Sequence, residues 1–340
     1  MEGNAISAAF TALWRGLDGD ELSARVAVDL LKTDQVEVMR RARFAPALRA
    51  LVGAREKAVN QCLRSACYGA QPADYTVLEN ADDELFAQCL RGESDTSGGK
   101  EGRMDWDLRW ELIDKQMQNK VSCIEDSSSA VHLPAEAVKK SKVVVVSLGA
   151  GLDMRCQHSC LNIEGEEAVA WLRVDRECVQ VHARSYCQVL GCQKCSFING
   201  DVAAKSTCKK ILHYLKNYEP HRVVWLAEGL VEYLKPRLQK KMLELISNVQ
   251  GQLPGVEGEL VVALLGKSIN KPMKLHYGAQ FGWKFSSINE VEVLLTEELG
   301  WNCVPRTSAV KAPGDTTDDR TSCATKQHPW GFLVHMQYSS

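Results

Sequence analysis

The chain has 340 residues, of which 25% are charged, and its net charge at pH 7 is −2. This balance argues against a nucleic acid or an anionic membrane as a partner bound mainly through charge. No apolar stretch is long enough to cross a bilayer, and the N-terminus lacks the basic start and apolar core of a secretory signal. We therefore expect a cytoplasmic protein without a nucleic-acid or membrane partner.

Residues 1–140 are predicted to be mainly helical. Apolar side chains recur at helical spacing from Leu48 to Leu63, and Glu21 to Lys32 is a second candidate helix. The polar, glycine-rich stretch from Arg91 to Arg103 predicts a surface loop. These features favour two domains: a helical N-terminal region over residues 1–140, which covers the binding surface of a second domain over residues 141–340.

A run of four valines, Val143 to Val146, opens the second domain and ends in a glycine turn. Such a β-branched run suits a strand covered on both faces of a parallel sheet. Gly149 and Gly151 permit a sharp turn and the close approach of a ligand to the backbone. Asp153 stands where a helix would begin, which leaves amide hydrogens exposed to an anionic ligand. The motif also fits a turn without a ligand.

Four further apolar runs follow, with helical stretches between them, which predicts a parallel sheet. They cover residues 168–174, 195–198, 222–226 and 259–265. The first three are followed by Asp175, by Asn199-Gly-Asp201 and by Glu228-Gly. Ligands of open α/β sheets bind beyond the carboxyl ends of the strands, and an acid there can accept both ribose hydroxyls of an adenosine. The pattern therefore favours a cofactor that lies across this edge.

The end of the chain predicts two strands without an intervening helix. Ile288 to Leu299 has the pattern of a helix, Trp301 to Val304 that of a strand, and Gly331 to Tyr338 that of the last strand. An antiparallel pair at the edge of a parallel sheet is uncommon in dinucleotide dehydrogenases. It is the arrangement expected of class I methyltransferases, so we predict a Rossmann-like sheet of that class.

Cysteines are frequent, and seven of the 13 lie between Cys156 and Cys208. Cys192-Gln-Lys-Cys195 forms a C-x-x-C, but a zinc site usually needs a second close pair, which the neighbouring Cys187 and Cys208 do not form. The odd count also argues against a disulfide framework. We therefore expect reduced, mostly buried thiols and no metal site.

Two motifs resemble those of the leucine carboxyl methyltransferase family. Ser147-Leu-Gly-Ala-Gly-Leu-Asp-Met-Arg155 resembles its S-adenosylmethionine motif, and Trp225-Leu-Ala-Glu-Gly-Leu-Val-Glu-Tyr-Leu234 resembles a second motif. The two together, in this order, are far more specific than either alone. Arg109-Trp-Glu-Leu-Ile-Asp114 resembles the family's arginine-bearing helix, and Glu232 stands where an apolar residue is common.

The resemblance implies an S-adenosylmethionine site. It assigns seven cofactor-binding residues: Arg109, Gly149, Gly151, Asp175, Asp201, Val202 and Glu228. The glycines would hold the methionine portion and Asp175 the ribose hydroxyls. Glu228 would lie near the amino group and the sulfonium, and Arg109 would pair with the cofactor carboxylate.

The adenine contacts implied by the resemblance are Asp201 at the amino group and Val202 against the ring. Other roles remain open from the residues alone. Asp175 and Asp201 also fit helix caps, and Arg109 also fits a solvated helix position.

The function implied is that of an S-adenosylmethionine-dependent O-methyltransferase acting on a carboxylate or hydroxyl of a small molecule. One alternative acceptor is the C-terminal leucine of a protein phosphatase 2A catalytic subunit. A second alternative is a cofactor-binding scaffold without catalysis. Tyr233 and several histidines are present, but none stands in a recognisable catalytic pairing, so no catalytic residue is predicted. No pattern indicates the oligomeric state.

Overall fold

The structure is a computed structural model. The residues that it describes are 9, 11–13, 15, 21–32, 55–56, 59–67, 143–157, 169–189, 195–265, 293–303 and 331–338. Contacts divide the chain into two compact units, each built from separate segments. The first contains Met1–Gly53, Asp82–Lys139 and Leu152–Met154, and the second contains Ala54–Ala81, Lys140–Gly151 and Arg155–Ser340. The predicted loop from Arg91 to Arg103 and the predicted helix around Arg109 lie outside the described residues.

In the first unit, helix α1 spans Glu21–Leu30, which confirms the candidate helix predicted there. Its Ala24, Ala27 and Val28 are buried, as the three- and four-residue spacing of one helix face requires. Arg15 and Asp153 form a buried ion pair in the same unit, with 3.5 Å between Nη1 and Oδ1. The side chain of Asp153 is therefore held by a guanidinium.

The second unit is built on a seven-stranded sheet with the order β3-β2-β1-β4-β5-β7-β6. The strands are β1 (Val143–Leu148), β2 (Ala170–Asp175), β3 (Cys195–Asn199), β4 (Arg222–Glu228), β5 (Glu257–Leu265), β6 (Trp301–Cys303) and β7 (Gly331–Tyr338). Strands β1 to β5 are parallel, whereas β7 runs antiparallel to both β5 and β6. This confirms the predicted class I methyltransferase sheet, with its antiparallel C-terminal pair.

Three helices connect the parallel strands: α2 (Glu177–Val189), α3 (Lys205–Tyr218) and α4 (Pro236–Gln250). Pro236 stands in the first turn of α4, where its missing amide hydrogen costs nothing. The helix expected from Ile288 is described only from residue 293 and contains a short π-helix over Leu294–Glu298. After the glycine turn, the described residues contain a 3₁₀ turn over Arg155–Gln157 rather than the start of an α-helix.

Both faces of the sheet are covered, which explains the unbroken run of valines in β1. Val144 and Val146 belong to the core that includes side chains of α3 and α4. Val143 and Val145 face the other core, which includes side chains from the helical segment 59–67. Sequence analysis assigned that segment to the N-terminal region, but its apolar stripe packs on the sheet. Packing places this segment in the unit that contains the sheet.

The last strand pair closes the sheet with aromatic packing. Trp301 is fully buried, its Nε1 donates a hydrogen bond of 2.7 Å to Ser247 Oγ, and its ring meets Tyr338 edge-on at 5.0 Å. The described helices include none that is long and apolar enough to cross a membrane.

Candidate functional site

The glycine turn after β1 is held against the end of β2. Gly149 and Gly151 have φ values of 59° and 55°, in the left-handed region that favours glycine. The amides of Gly149 and Ala150 both donate to the carbonyl oxygen of Val174, at 2.8 and 3.3 Å. A side chain at Gly149 would meet Leu230, because an added Cβ lies 2.6 Å from its Cδ1. The turn therefore needs glycine both for its conformation and for its close packing.

Gly149→Ala is expected to lower the free energy of unfolding by about 2 kcal/mol, from the left-handed backbone and the clash together. Gly255→Ala is the matched control, because Gly255 also has a positive φ, of 73°, but an added Cβ there meets nothing within 4 Å. Urea unfolding of both variants measures the difference. In a Leu230→Ala background the Gly149 substitution should cost no more than the control. If Gly149→Ala lowered the free energy of unfolding equally in the wild-type and Leu230→Ala backgrounds, a clash with Leu230 would be contradicted.

Asp175 closes the turn from the end of β2. Its Oδ2 accepts a hydrogen bond of 2.7 Å from the amide of Gly151, and its Oδ1 accepts one of 2.7 Å from the amide of Arg176. Burial raises the pKa of the Asp175 carboxyl, against the lowering effect of these amides and of the nearby arginines. Each carboxylate oxygen can still accept a second hydrogen bond. Asp175 is therefore both a structural clamp and an available acceptor.

A second clamp on the same turn comes from Arg173 in the middle of β2. Its guanidinium is 1% exposed, and its Nη2 donates a hydrogen bond of 3.0 Å to the carbonyl oxygen of Gly151. Gly151 is thus held at its amide by Asp175 and at its carbonyl by Arg173. This arrangement fixes the direction of the peptide groups in the turn.

Glu228, at the end of β4, is hydrogen-bonded by two buried arginines. Its Oε1 accepts a hydrogen bond of 3.0 Å from Arg55 Nε, and its Oε2 accepts one from Arg155 Nη2. The side chains of Arg55, Arg155 and Glu228 are 11%, 2% and 3% exposed. Leu148 pairs with Ala227 across β1 and β4, so Glu228 lies beside the glycine turn. Arg55 and Arg155 therefore fix both oxygens of Glu228 at the carboxyl edge of the sheet.

Glu232 lies in the 3₁₀ turn Val231–Tyr233 that follows β4, and it is fully buried. Neither of its carboxylate oxygens accepts a hydrogen bond from another residue in the part of the chain that the structure describes. Burial raises the pKa of the Glu232 carboxyl to about 7, although the positive charge of Arg55 lowers it. A buried carboxyl that accepts no hydrogen bond from another residue lowers the stability of the fold, and such groups often mark functional sites.

The end of β3 joins the same edge of the sheet. The amide of Gly200 donates a hydrogen bond of 2.9 Å to the carbonyl oxygen of Asp175. Asp201 is exposed, and its Oδ1 accepts a hydrogen bond of 2.9 Å from the amide of Ala203, so it stabilises the turn before α3. Val202 is 8% exposed and packs in the sheet core.

The structure thus brings together most of the residues predicted from the sequence. Gly149, Gly151, Asp175 and Glu228 meet at the carboxyl edge of the central strands, and Asp201 and Val202 lie at the end of β3. Arg109 lies outside the described residues, so its pairing with the cofactor carboxylate stays a prediction.

Sequence analysis missed Arg55, Arg155 and Glu232. Arg155 ends the first motif, and its position within that motif was a usable signal. Arg55 stands four residues before Val59, so helical spacing places it on the same face as the apolar side chains of segment 59–67 that pack on the sheet. A charged residue on such a face is unusual, and this was the signal. Glu232 occupied an expected apolar position, which was the signal of a buried acid.

The chain resembles known proteins in its structure and not in its sequence. No protein-family model and no curated protein matches the chain. Among solved structures, the mitomycin 7-O-methyltransferase MmcR is 14% identical, with 92% of this chain and 75% of that chain covered and a TM-score of 0.36. The apo S-adenosylmethionine-dependent methyltransferase SibL is 14% identical, with 91% and 78% covered and a TM-score of 0.35.

A DUF574 family protein from Streptomyces avermitilis is 10% identical, with 58% of this chain and 75% of that chain covered and a TM-score of 0.39. Likeness at this level carries no argument about function. The assignment of the fold rests on the strand order of the sheet.

Proposed function

We propose that the chain is an S-adenosylmethionine-dependent O-methyltransferase that acts on a carboxylate or hydroxyl of a small molecule. The observation that carries the proposal is the meeting of the glycine turn, Asp175 and Glu228 at one edge of a class I sheet. These are residues that the family resemblance implied for the cofactor. The finer assignment to the leucine carboxyl methyltransferase family rests on the motifs alone.

The described residues fit the cofactor that the motifs imply. Gly149 and Gly151 hold the left-handed turn at the carboxyl edge of the sheet, where the motif places the methionine portion of the cofactor. Asp175 retains acceptor capacity for the ribose hydroxyls. Glu228, held by Arg55 and Arg155, remains assigned to the amino group and sulfonium of the cofactor, and Arg109 to its carboxylate. Asp201 and Val202 remain assigned to the adenine.

When bound, the cofactor supplies an electrophilic methyl group. The chain's own task is then to hold the acceptor in line with that group and to exclude water. A carboxylate acceptor is ionised at neutral pH and needs no base, whereas a hydroxyl acceptor needs a proton acceptor within hydrogen-bond reach. Glu232 is fully buried and cannot contact an acceptor in this arrangement, so the base for a hydroxyl acceptor stays unassigned.

Calorimetry of the purified chain tests the cofactor. We expect binding of S-adenosylmethionine and S-adenosylhomocysteine and none of NAD. An assay of labelled-methyl transfer to fractionated cell extract then tests the acceptor. We expect the label to enter small molecules, and a base-labile product would indicate an ester. Label in protein would favour the phosphatase alternative, and cofactor binding without any transfer would favour the scaffold. Binding of NAD without binding of S-adenosylhomocysteine would contradict the proposal.

Asp175→Ala is expected to weaken the binding of S-adenosylhomocysteine by about 1–3 kcal/mol, because two ribose hydroxyls lose a charged acceptor. The carboxylate also accepts a hydrogen bond from the amide of Gly151. Some loss of stability should therefore accompany the loss of affinity. Glu297→Ala, at an exposed acid without a role in the site, is the control and should preserve both affinity and stability. Unchanged affinity in Asp175→Ala would show that Asp175 is only structural.

A further inference from the structure

Three cysteine side chains from separate elements converge in the second unit. Cys156 comes from the 3₁₀ turn after the glycine motif, Cys187 from the last turn of α2, and Cys195 from the start of β3. Their Sγ atoms all lie within 4.8 Å of one another. Cys187 is buried and the other two are half-buried. The convergence depends on the fold, because residues far apart in the chain form the group.

The spacing of the sulfurs suits a tetrahedral metal ion. A zinc–thiolate bond is about 2.3 Å long, so sulfurs around one zinc ion lie about 3.8 Å apart. A small contraction of the observed group reaches that geometry. A disulfide, in contrast, joins only two sulfurs at about 2.0 Å and leaves the third unexplained. Cys156, Cys187 and Cys195 are not joined in a disulfide.

The charge around the group also favours thiolates. Arg173 Nη1 lies 3.8 Å from Cys156 Sγ, and this guanidinium is almost fully buried. A neighbouring cation stabilises the thiolate form, which is the form that binds metals. Three thiolates and one Zn²⁺ carry a net charge of −1, which the single positive charge of Arg173 balances.

We propose that Cys156, Cys187 and Cys195 form a binding site for Zn²⁺. Soft thiolate ligands select zinc and similar ions over magnesium or calcium, and three thiolates leave one tetrahedral position for a fourth ligand. The sequence predicted no metal site because only close pairs along the chain were considered. Cys192 of the C-x-x-C lies outside the described residues, and the proposal rests on the three described thiols.

The ion has a structural consequence for the neighbouring site. Cys156 directly follows Arg155, whose guanidinium binds Glu228. A metal that ties Cys156 to α2 and β3 fixes the turn that carries Arg155. The ion would therefore position Arg155 from a distance, without contacting a molecule bound at the carboxyl edge of the sheet. The metal site itself does not depend on the cofactor assignment.

Metal analysis of the full chain tests the site. The protein is purified under reducing conditions without chelator, loaded with zinc, freed of excess ion and measured by elemental mass spectrometry. We expect about one zinc ion per chain, as for a single site. Cys156→Ser, Cys187→Ser and Cys195→Ser should each lose most of the bound zinc. Cys208→Ser should retain it, because Cys208 is a buried thiol outside the group.

Cobalt substitution of the wild type keeps the test independent of whether the variants fold. Bound Co²⁺ should show an intense thiolate-to-cobalt charge-transfer band and the visible bands of a tetrahedral ion. Wild-type protein without stoichiometric zinc, or without the charge-transfer band, would overturn the site. Retention of zinc by the three serine variants at the level of Cys208→Ser would overturn it equally.

Discussion

Glu228→Ala is expected to lower the free energy of unfolding by about 3–5 kcal/mol at pH 7, because it leaves buried guanidinium groups without their carboxylate. Both oxygens of Glu228 are engaged, one by Arg55 and one by Arg155, in a setting that is almost closed to solvent. Urea unfolding followed by circular dichroism measures the change. The same variant should also bind S-adenosylhomocysteine poorly, since the arginines lose the group that orients them.

Glu257→Ala is the matched control for this prediction. Glu257 also pairs with an arginine, Arg222, on a neighbouring strand of the same sheet, but its side chain is 52% exposed. Exposed pairs contribute at most about 1 kcal/mol, because water and salt screen them. A loss in Glu228→Ala no larger than that in Glu257→Ala would show that the buried arginines find other partners.

Glu232→Gln is expected to stabilise the protein by up to about 3 kcal/mol at pH 8. The pKa of this carboxyl is raised from 4.5 to about 7 by burial, so the folded state retains its proton more strongly than the unfolded state. Stability of the wild type should therefore fall as pH rises from 4.5 to about 7, and the cost should persist above that range. The glutamine has no charge to bury and lacks this cost.

Unfolding of both proteins across pH 4.5 to pH 8 measures the difference. The gap should widen as pH rises and be smallest at the acid end. Glu244→Gln, at a half-exposed position on α4, should show no comparable trend. A constant gap, or a glutamine variant less stable at pH 8, would mean that the positive charge of Arg55 compensates ionised Glu232 well.

The sheet could be predicted from the sequence because its signals are local. Five short apolar runs predicted the five parallel strands, because a strand covered on both faces, such as β1, is rich in apolar side chains. The acids that end those runs, Asp175 and Glu228, follow directly from the same pattern. Local patterns also located the antiparallel pair.

The rest of the site depends on packing between distant segments. Arg55 reaches Glu228 only because the helical segment 59–67 lies on one face of the sheet, and helical periodicity does not specify which strand end a helix faces. The three clustered thiols likewise come from a turn, a helix end and a strand start. Side-chain spacing along the chain does not contain that convergence.

The position of β7 makes β6 dependent on it for its place in the sheet. Strand β7 lies between β5 and β6, and β6 pairs with no other strand in the described sheet order. Trp301 of β6 is nevertheless fully buried, and its Nε1 is bonded to Ser247 Oγ of α4. Separation of β7 from β5 would therefore remove the only strand that pairs with β6 in the described sheet, so the two antiparallel strands join or leave the sheet as one piece.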